Sequence, residues 1–262
     1  MSGIGAGYVP RWLIVPAVVG LLFLLVPLAA LVARVQWSTL LADVTSPAAV
    51  AALGLSLGTG AAATAVCAVL GIPLALVIAR SPARIAALLR ALVTVPLVLP
   101  PMVGGVALLY LFGRTGWFGG LALPFTTPAV VLAQVFVALP FLVLAVEGAL
   151  RSTGVEFERA AASLGASRAT ILRRVTLPLA APGLVAGVVL CFARAIGEFG
   201  ATALFAGNRP GVTQTMPLAI YTAFNGAGIS QGTAVALALL LLVTAIAVLL
   251  LVRGWRPSGA SV

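Results

Sequence analysis

The sequence predicts an all-α integral membrane protein with six transmembrane helices. Of its 262 residues, 62% are hydrophobic and 8% are charged, and the mean hydropathy is +1.23, whereas soluble domains are about half apolar and a quarter charged. A helix needs about 20 apolar residues to cross a hydrocarbon core of about 30 Å. Segments of about this length lie at 12–33, 50–79, 91–112, 128–149, 179–206 and 232–252.

The arginines predict the orientation of these spans. All 15 basic residues are Arg, and positive residues concentrate in cytoplasmic loops. With a cytoplasmic N-terminus, eleven arginines lie inside, three lie outside, and Arg194 falls within a span, so both termini are predicted to be cytoplasmic. The inside set is Arg11, Arg80, Arg84, Arg90, Arg151, Arg159, Arg168, Arg173, Arg174, Arg253 and Arg256, and the outside set is Arg34, Arg114 and Arg209. The first apolar run is long enough to span and is interpreted as a retained anchor.

The absence of Lys and His from the sequence excludes several kinds of chemistry. A P-loop needs a Lys on the nucleotide phosphates, and serine or cysteine hydrolases usually need a His as base. Cys67 and Cys191 lie in apolar runs without a CxxC pattern, so no metal site is expected. The net charge of +10 is attributed to membrane topology rather than to nucleic-acid binding.

The third predicted span contains an unusual run, VPLVLPPMVGG from Val95 to Gly105. Three prolines and two glycines in eleven residues predict a break in the helix near Pro100 and Pro101. Bent helices that line a pathway and ordinary membrane-helix composition both remain open as explanations. The glycine pairs Gly54 with Gly58 and Gly183 with Gly187 predict close helix packing.

The longest polar interruption, 151–178, predicts a docking surface on the cytoplasmic side. Thr153 and Glu156 fit a capping box, Glu158 lies in the same first turns, and Gly165 fits a helix C-terminus. A second helix is predicted from Ser167, with re-entry into the membrane near Pro178 and Pro182.

The spacing of small and apolar residues in this loop resembles the EAA loop of ABC-importer permeases. The position six before Gly165 is Arg159, however, and the nearest acid is Glu158, one residue earlier. The resemblance implies a coupling helix that sits in a groove of an ATPase subunit, whereas a generic amphipathic loop is the alternative. The implied coupling residues are Glu158, Arg159, Ala160, Ala161, Gly165, Val175, Leu177 and Pro178.

Two charged residues are predicted to lie deep in the fifth span. Arg194 and Glu198 follow Pro182 by 12 and 16 residues, or roughly 18 and 24 Å along a helix, and a spacing of four places them on one face. A charge at that depth costs about 2.5–3.5 kcal/mol. Two interpretations remain open: a translocation pathway or gate, to which Pro100 and Pro101 are also assigned, and a structural ion pair.

Four further motifs resemble the permease subunits of molybdate or tungstate importers, whose relatives carry sulfate and thiosulfate. They are VPLVLPP, LFGRTG, GEFGA and GNRPGVTQTMPLAIY, and the similarity extends from about 50 to 250. It implies the type I ABC-importer permease fold over 49–253, preceded by 1–48 with the first helix and followed by a cytoplasmic tail, 254–262. By itself this loop is typical of a turn-rich connection, and the resemblance implies that its residues Asn208, Arg209, Thr213 and Gln214 meet a binding protein. Pairing of Arg209 with an acid of that partner and a solvated surface arginine both remain open.

The resemblance therefore implies a homodimeric permease in the bacterial plasma membrane that moves molybdate or tungstate inward by alternating access. Expected partners are two ATPase subunits, which hold ATP and Mg, an extracytoplasmic molybdate-binding protein, a second copy of this chain and membrane lipid. No cofactor or enzymatic site is expected on this chain. The alternatives are a sulfate or thiosulfate importer and an ion-coupled secondary transporter.

Overall fold

A computed structural model describes residues 10–254, so the start of the predicted N-terminal segment and the tail 255–262 lie outside the described residues. Within 10–254 every regular element is helical, which confirms the all-α class. The helices are α1 (Ile14–Ala33), α2 (Leu40–Val44), α3 (Pro47–Arg80), α4 (Ala83–Val98), α5 (Pro101–Phe112), α6 (Thr127–Ser152), α7 (Glu156–Ser163), α8 (Arg168–Ile171), α9 (Leu177–Ile196), α10 (Gly200–Phe205), α11 (Met216–Phe224) and α12 (Gln231–Gly254).

The predicted number of six spans is not confirmed by helix length and composition. Four helical stretches of the described chain are long and apolar enough to cross a membrane: α1, α3, α6 and the run Arg168–Ile196. The pair α4 and α5 supplies a fifth if it is counted as one broken span. Helix α12 coincides in position with the sixth predicted segment, 232–252, and its part Gln231–Ala247 is apolar.

The predicted break in the third span is confirmed, because α4 and α5 meet at an angle of 106°. Leu99 and Pro100 adopt extended backbone at ψ 136° and 134°. A residue before a proline is pushed out of the helical region, so the Pro100-Pro101 pair ends α4. The segment 91–112 is therefore two helices rather than one.

The predicted bounds of the fifth span, 179–206, are wrong at both ends. The helix is continuous across Pro178, because the π-helical turn Leu172–Thr176 joins α8 to α9. A proline ring meets the carbonyl four residues earlier, here that of Arg174, and this carbonyl lies inside the wider turn. At the other end α9 stops at Ile196, and residues 197–199 separate it from α10.

The core forms where α6 packs between α3 and α9. Glycines permit this approach: a Cβ on Gly71 would lie 3.0 Å from Leu142, and one on Gly187 would lie 3.2 Å from Ala145. Gly183 likewise packs against Ala149, so the predicted packing of Gly183 and Gly187 is confirmed. At Gly54 and Gly58, by contrast, a Cβ would meet no described atom within 4 Å.

Candidate translocation gate and coupling loop

Helix α7 ends in a Schellman motif built on Gly165. This residue has φ +85°, and its N–H donates to Ala162 O at 2.9 Å while the N–H of Ala166 donates to Ala161 O at 3.1 Å. Positive φ is strained for residues with a Cβ. The sequence prediction of a helix C-terminus at Gly165 is confirmed, and Ser167 caps α8 by accepting from Thr170 N at 3.2 Å.

The predicted capping box at the start of α7 is wrong. Thr153 is the C-cap of α6, and its hydroxyl donates to Leu150 O at 3.0 Å. The N-cap of α7 is Val155, which offers no side-chain oxygen. Because α6 runs on to Ser152, Thr153 belongs to the end of one helix rather than to the start of the next.

Glu158 fastens α7 to two other helices. Its Oε1 accepts from Arg80 at the end of α3 and from the hydroxyl of Thr176, at 2.8 Å, in the turn before α9. The opposite face of α7 is apolar and exposed: Phe157 is 63% and Leu164 is 89% exposed. The predicted coupling loop thus has one face attached to this chain and one exposed apolar face.

The other predicted coupling residues surround this attachment. Arg159, Ala160 and Pro178 are exposed, and Ala161, Val175 and Leu177 are half-buried.

An ion cluster at the middle of α4 was not identified as a site from the sequence. Glu147, 3% exposed, accepts from Arg90 on α4 at 2.5 and 3.2 Å and from Arg151 at 2.7 Å. The sequence contains one indication of this cluster: Glu147 lies near the end of a predicted span and Arg151 follows it by four residues. The cluster holds α4 against the C-terminal end of α6.

Arg194 and Glu198 are in contact, as their spacing predicts. Arg194 Nη2 lies 2.8 Å from Glu198 Oε2, and Glu198 Oε1 accepts from the N–H of Ala201 at 2.8 Å. Glu198 is 1% exposed, and the Arg194 guanidinium lies 5.9 Å from the centre of the Phe141 ring, within the range of a cation–π contact. Glu198 lies in the break after α9, so the pair bridges the end of α9 and the start of α10.

Helices α5 and α10, each of which follows a break in the chain's helical path, contact each other at glycines. A Cβ on Gly200 would lie 3.1 Å from Pro101 Cβ, and one on Gly105 would lie 2.8 Å from the carbonyl oxygen of Ala201. Helices α5 and α10 therefore approach at backbone distance. The structure brings Pro100 and Pro101 to the same region as the Arg194–Glu198 pair.

Two buried polar side chains near this region were also missed. Gln134 on α6 and Thr202 on α10 are fully buried, and neither the Gln134 amide nor the Thr202 hydroxyl has a hydrogen-bond partner among the described residues. Their neighbours along the chain, Ala133 and Ala201, belong to one apolar cluster. A lone Gln within an otherwise apolar span was the available signal.

The loop after α10 is held by its own polar side chains. Asn208 donates to Thr222 Oγ1 at 2.7 Å and accepts from Gln214 at 2.9 Å. The N–H of Arg209 donates to the hydroxyl of Thr213 at 2.9 Å. Thr213, one of the predicted docking residues, is fully buried, so its side chain shapes the loop from within.

The predicted coupling loop and the charged pair lie near opposite ends of one helical stretch. In the described part of the chain no three His, Cys, Asp or Glu residues cluster as a metal site would require. The coupling loop lies at one end of a continuous helical stretch, Arg168–Ile196, and the break with the charged pair lies at the other. These 29 residues span about 43 Å.

Comparison with known proteins identifies a family and its relatives. The profile of the family described as "Binding-protein-dependent transport system inner membrane component" matches residues 71–257. The molybdenum transport system permease protein ModB of Mycobacterium tuberculosis is 51% identical over 95% of this chain and 96% of its own length. The sulfate transport system permease protein CysT of Salmonella typhimurium is 36% identical over 76% of each chain.

A solved structure shares the fold. A chain of the bacterial alginate ABC transporter, in complex with a pentasaccharide-bound periplasmic protein, superimposes with a TM-score of 0.69 at 17% identity. The match covers 92% of this chain and 90% of that one. The predicted ABC-importer permease fold is confirmed.

Proposed function

Because the chain belongs to the family of binding-protein-dependent transport system inner membrane components, we propose that it is the membrane-spanning subunit of an ATP-driven importer for molybdate. The assignment of molybdate as the substrate rests on the 51% identity to the molybdenum permease across nearly the whole of both chains. Tungstate, which has the same tetrahedral shape and charge, is included in the proposal.

The chain is a multi-pass inner-membrane subunit, and its transport complex requires further proteins. Permeases of this family act with an ATPase and a binding protein, and the sequence of this chain has no Lys with which to build a P-loop. We assign the exposed face of α7 with Phe157 and Leu164 to an ATPase subunit, which carries ATP and Mg. The proposed assembly is two copies of this chain, two ATPase subunits and one extracytoplasmic binding protein, with both termini of each chain in the cytoplasm.

The proposed mechanism is alternating access driven from the coupling loop. Closure of the ATPase pair shifts α7, and the contacts of Glu158 with Arg80 and Thr176 transfer that shift to α3 and α9. The far end of α9 then moves the Arg194–Glu198 pair and α10 against α5. Arg194, which is 24% exposed in its side chain, attracts the anion, and Glu198 fixes the direction of the guanidinium.

An energy source is needed because the substrate is a dianion. Moving each charge inward against a potential of 100 mV, negative inside, costs about 2.3 kcal/mol, so two charges cost about 4.6 kcal/mol before any concentration gradient. Passive flow cannot concentrate such an ion. Hydrolysis of ATP by the partner subunits supplies this free energy.

The second candidate is a sulfate or thiosulfate importer, which the 36% identity to the sulfate permease favours. Uptake of radiolabelled molybdate and, separately, sulfate by cells with and without the gene distinguishes the two. Loss of molybdate uptake with normal sulfate uptake is the expected result. Loss of sulfate uptake alone would be consistent with the importer architecture but would refute molybdate as the substrate.

Reconstitution in liposomes tests the dependence on ATP. The chain with its ATPase and binding protein is expected to accumulate molybdate only when ATP and Mg are supplied on the ATPase side. The matched control is the purified chain without the ATPase subunit. Transport by that chain alone would refute the ATP-driven proposal and favour an ion-coupled transporter.

A further inference from the structure

We propose that a groove beside the coupling loop binds the phosphate of an anionic phospholipid from the inner leaflet. The groove lies between the end of α3 and the loop formed by α7 and α8, and its volume is about 690 Å³. Small-molecule sites typically measure about 300–1,000 Å³. The site differs from the gate and does not depend on which anion is transported.

One wall of the groove is apolar. It is formed by Leu76 and Val77 on α3 and by Ile171 and Leu172 at the end of α8. Val77 is 55% and Leu172 is 36% exposed. Each lies within one turn of an arginine, Arg80 after Val77 and Arg173 after Leu172. An acyl chain beside α3 can cover these side chains.

The rim of the groove is basic. Arg80, Arg159 and Arg168 line it together with a single acid, Glu158, whose Oε1 is already paired with Arg80. Neither Arg159 nor Arg168 has a salt-bridge partner within residues 10–254. Three arginines and one glutamate leave two positive charges for a phosphate, which guanidinium groups bind in a bidentate geometry.

The groove and the proposed ATPase contact use opposite faces of α7. Glu158, Arg159 and Ala162 line the groove, whereas Phe157 and Leu164 project on the other side at the spacing of one helix face. A lipid in the groove therefore leaves the exposed apolar face of α7 free. The combination of a basic rim, an apolar wall and a position where spans meet the cytoplasm fits a lipid headgroup and chain better than a free phosphate ion, which has no use for the apolar wall.

The experiment measures lipid binding to the full-length chain in detergent by native mass spectrometry. The delipidated protein is titrated with phosphatidylglycerol, with zwitterionic phosphatidylcholine and with inorganic phosphate as a competitor. The test variant is Arg159→Gln with Arg168→Gln. Its matched control is Arg173→Gln with Arg174→Gln, which removes the same charge from the same loop outside the groove lining.

Phosphatidylglycerol is expected to bind the native chain more tightly than phosphatidylcholine, and the test variant is expected to lose about 30-fold in that affinity. The control should stay within about twofold, since its arginines do not line the groove. The variant Arg159→Lys with Arg168→Lys should retain most of the binding, which separates lost charge from misfolding. Equal losses in test and control variants, or full displacement of the lipid by inorganic phosphate, would overturn the proposal.

Discussion

Substitutions in the ion pair between Arg194 and Glu198 can distinguish a role in stability from a role in transport. Glu198→Gln removes the carboxylate charge but keeps an oxygen that can accept from the N–H of Ala201. Glu198 is 1% exposed, and removal of one partner from a buried pair costs about 3–5 kcal/mol. Because the Arg194 side chain remains 24% exposed, we expect the lower end, about 3 kcal/mol.

The assay is a double-mutant cycle on the free energy of unfolding, measured by titration of the purified chain with SDS. Arg194→Met removes the other charge, and each single variant leaves one charge without its partner. The double variant leaves none, so it should be destabilised by less than the sum of the two single variants. Costs that add to within about 0.5 kcal/mol would show that the groups are independent and would refute the reasoning.

The same variants measure the proposed role in transport. If Arg194 attracts the anion, the double variant should assemble with the ATPase yet import molybdate at a small fraction of the native rate. A double variant that is stable and imports at the native rate would leave the pair a purely structural one. The pathway assignment would then be wrong, while the contact itself would stand.

Three further substitutions test the close contacts around these sites. Gly105→Ala should destabilise the chain by about 1–3 kcal/mol through overpacking, because its Cβ would lie 2.8 Å from a backbone oxygen of α10; Gly20→Ala, where no described atom lies within 4 Å, is the control, and equal thermal stability of the two variants would contradict the packing. Gly165→Val places a β-branched residue at φ +85° and should reduce co-purification of the ATPase subunit; undiminished co-purification would count against the coupling loop. Glu158→Gln weakens the attachment of α7 to Arg80 and should lower the number of molybdate ions imported per ATP hydrolysed in liposomes, with ATPase binding retained; an unchanged ratio would argue that this attachment does not transmit movement.

Features set by local chemistry could be predicted from the sequence. Composition fixed the helical membrane class, and the Pro100-Pro101 pair located the break between α4 and α5, since proline acts on its immediate neighbours. Gly165 was identified for the same reason, because a helix C-terminus needs a left-handed residue. The motif spacing around it indicated the permease family that the comparisons then matched.

Features that depend on neighbouring helices could not be predicted in this way. The residue Pro178 predicted a helix boundary, but the π turn before it lets the helix continue, and no residue type marks such a turn. The break after Ile196 has no proline, and the carboxylate of Glu198 replaces the lost backbone contacts by accepting from Ala201. Helix periodicity alone placed Glu198 inside a continuous span.

The contacts in the structure locate where the chain can bend during transport. Glu158 ties α7 to both α3 and the turn before α9, so a shift of α7 moves both helices. The contact of Arg90 with Glu147 holds the middle of α4 to α6, and α5 is packed at backbone distance against α10. Uninterrupted helices resist bending because each turn is closed by hydrogen bonds. We therefore expect the chain to bend where these backbone hydrogen bonds are interrupted. Those places are the extended residues 99–100 and the break at 197–199. Both lie at the contact of α5 with α10, and we therefore expect a displacement that enters at the proposed coupling loop to emerge at the proposed gate.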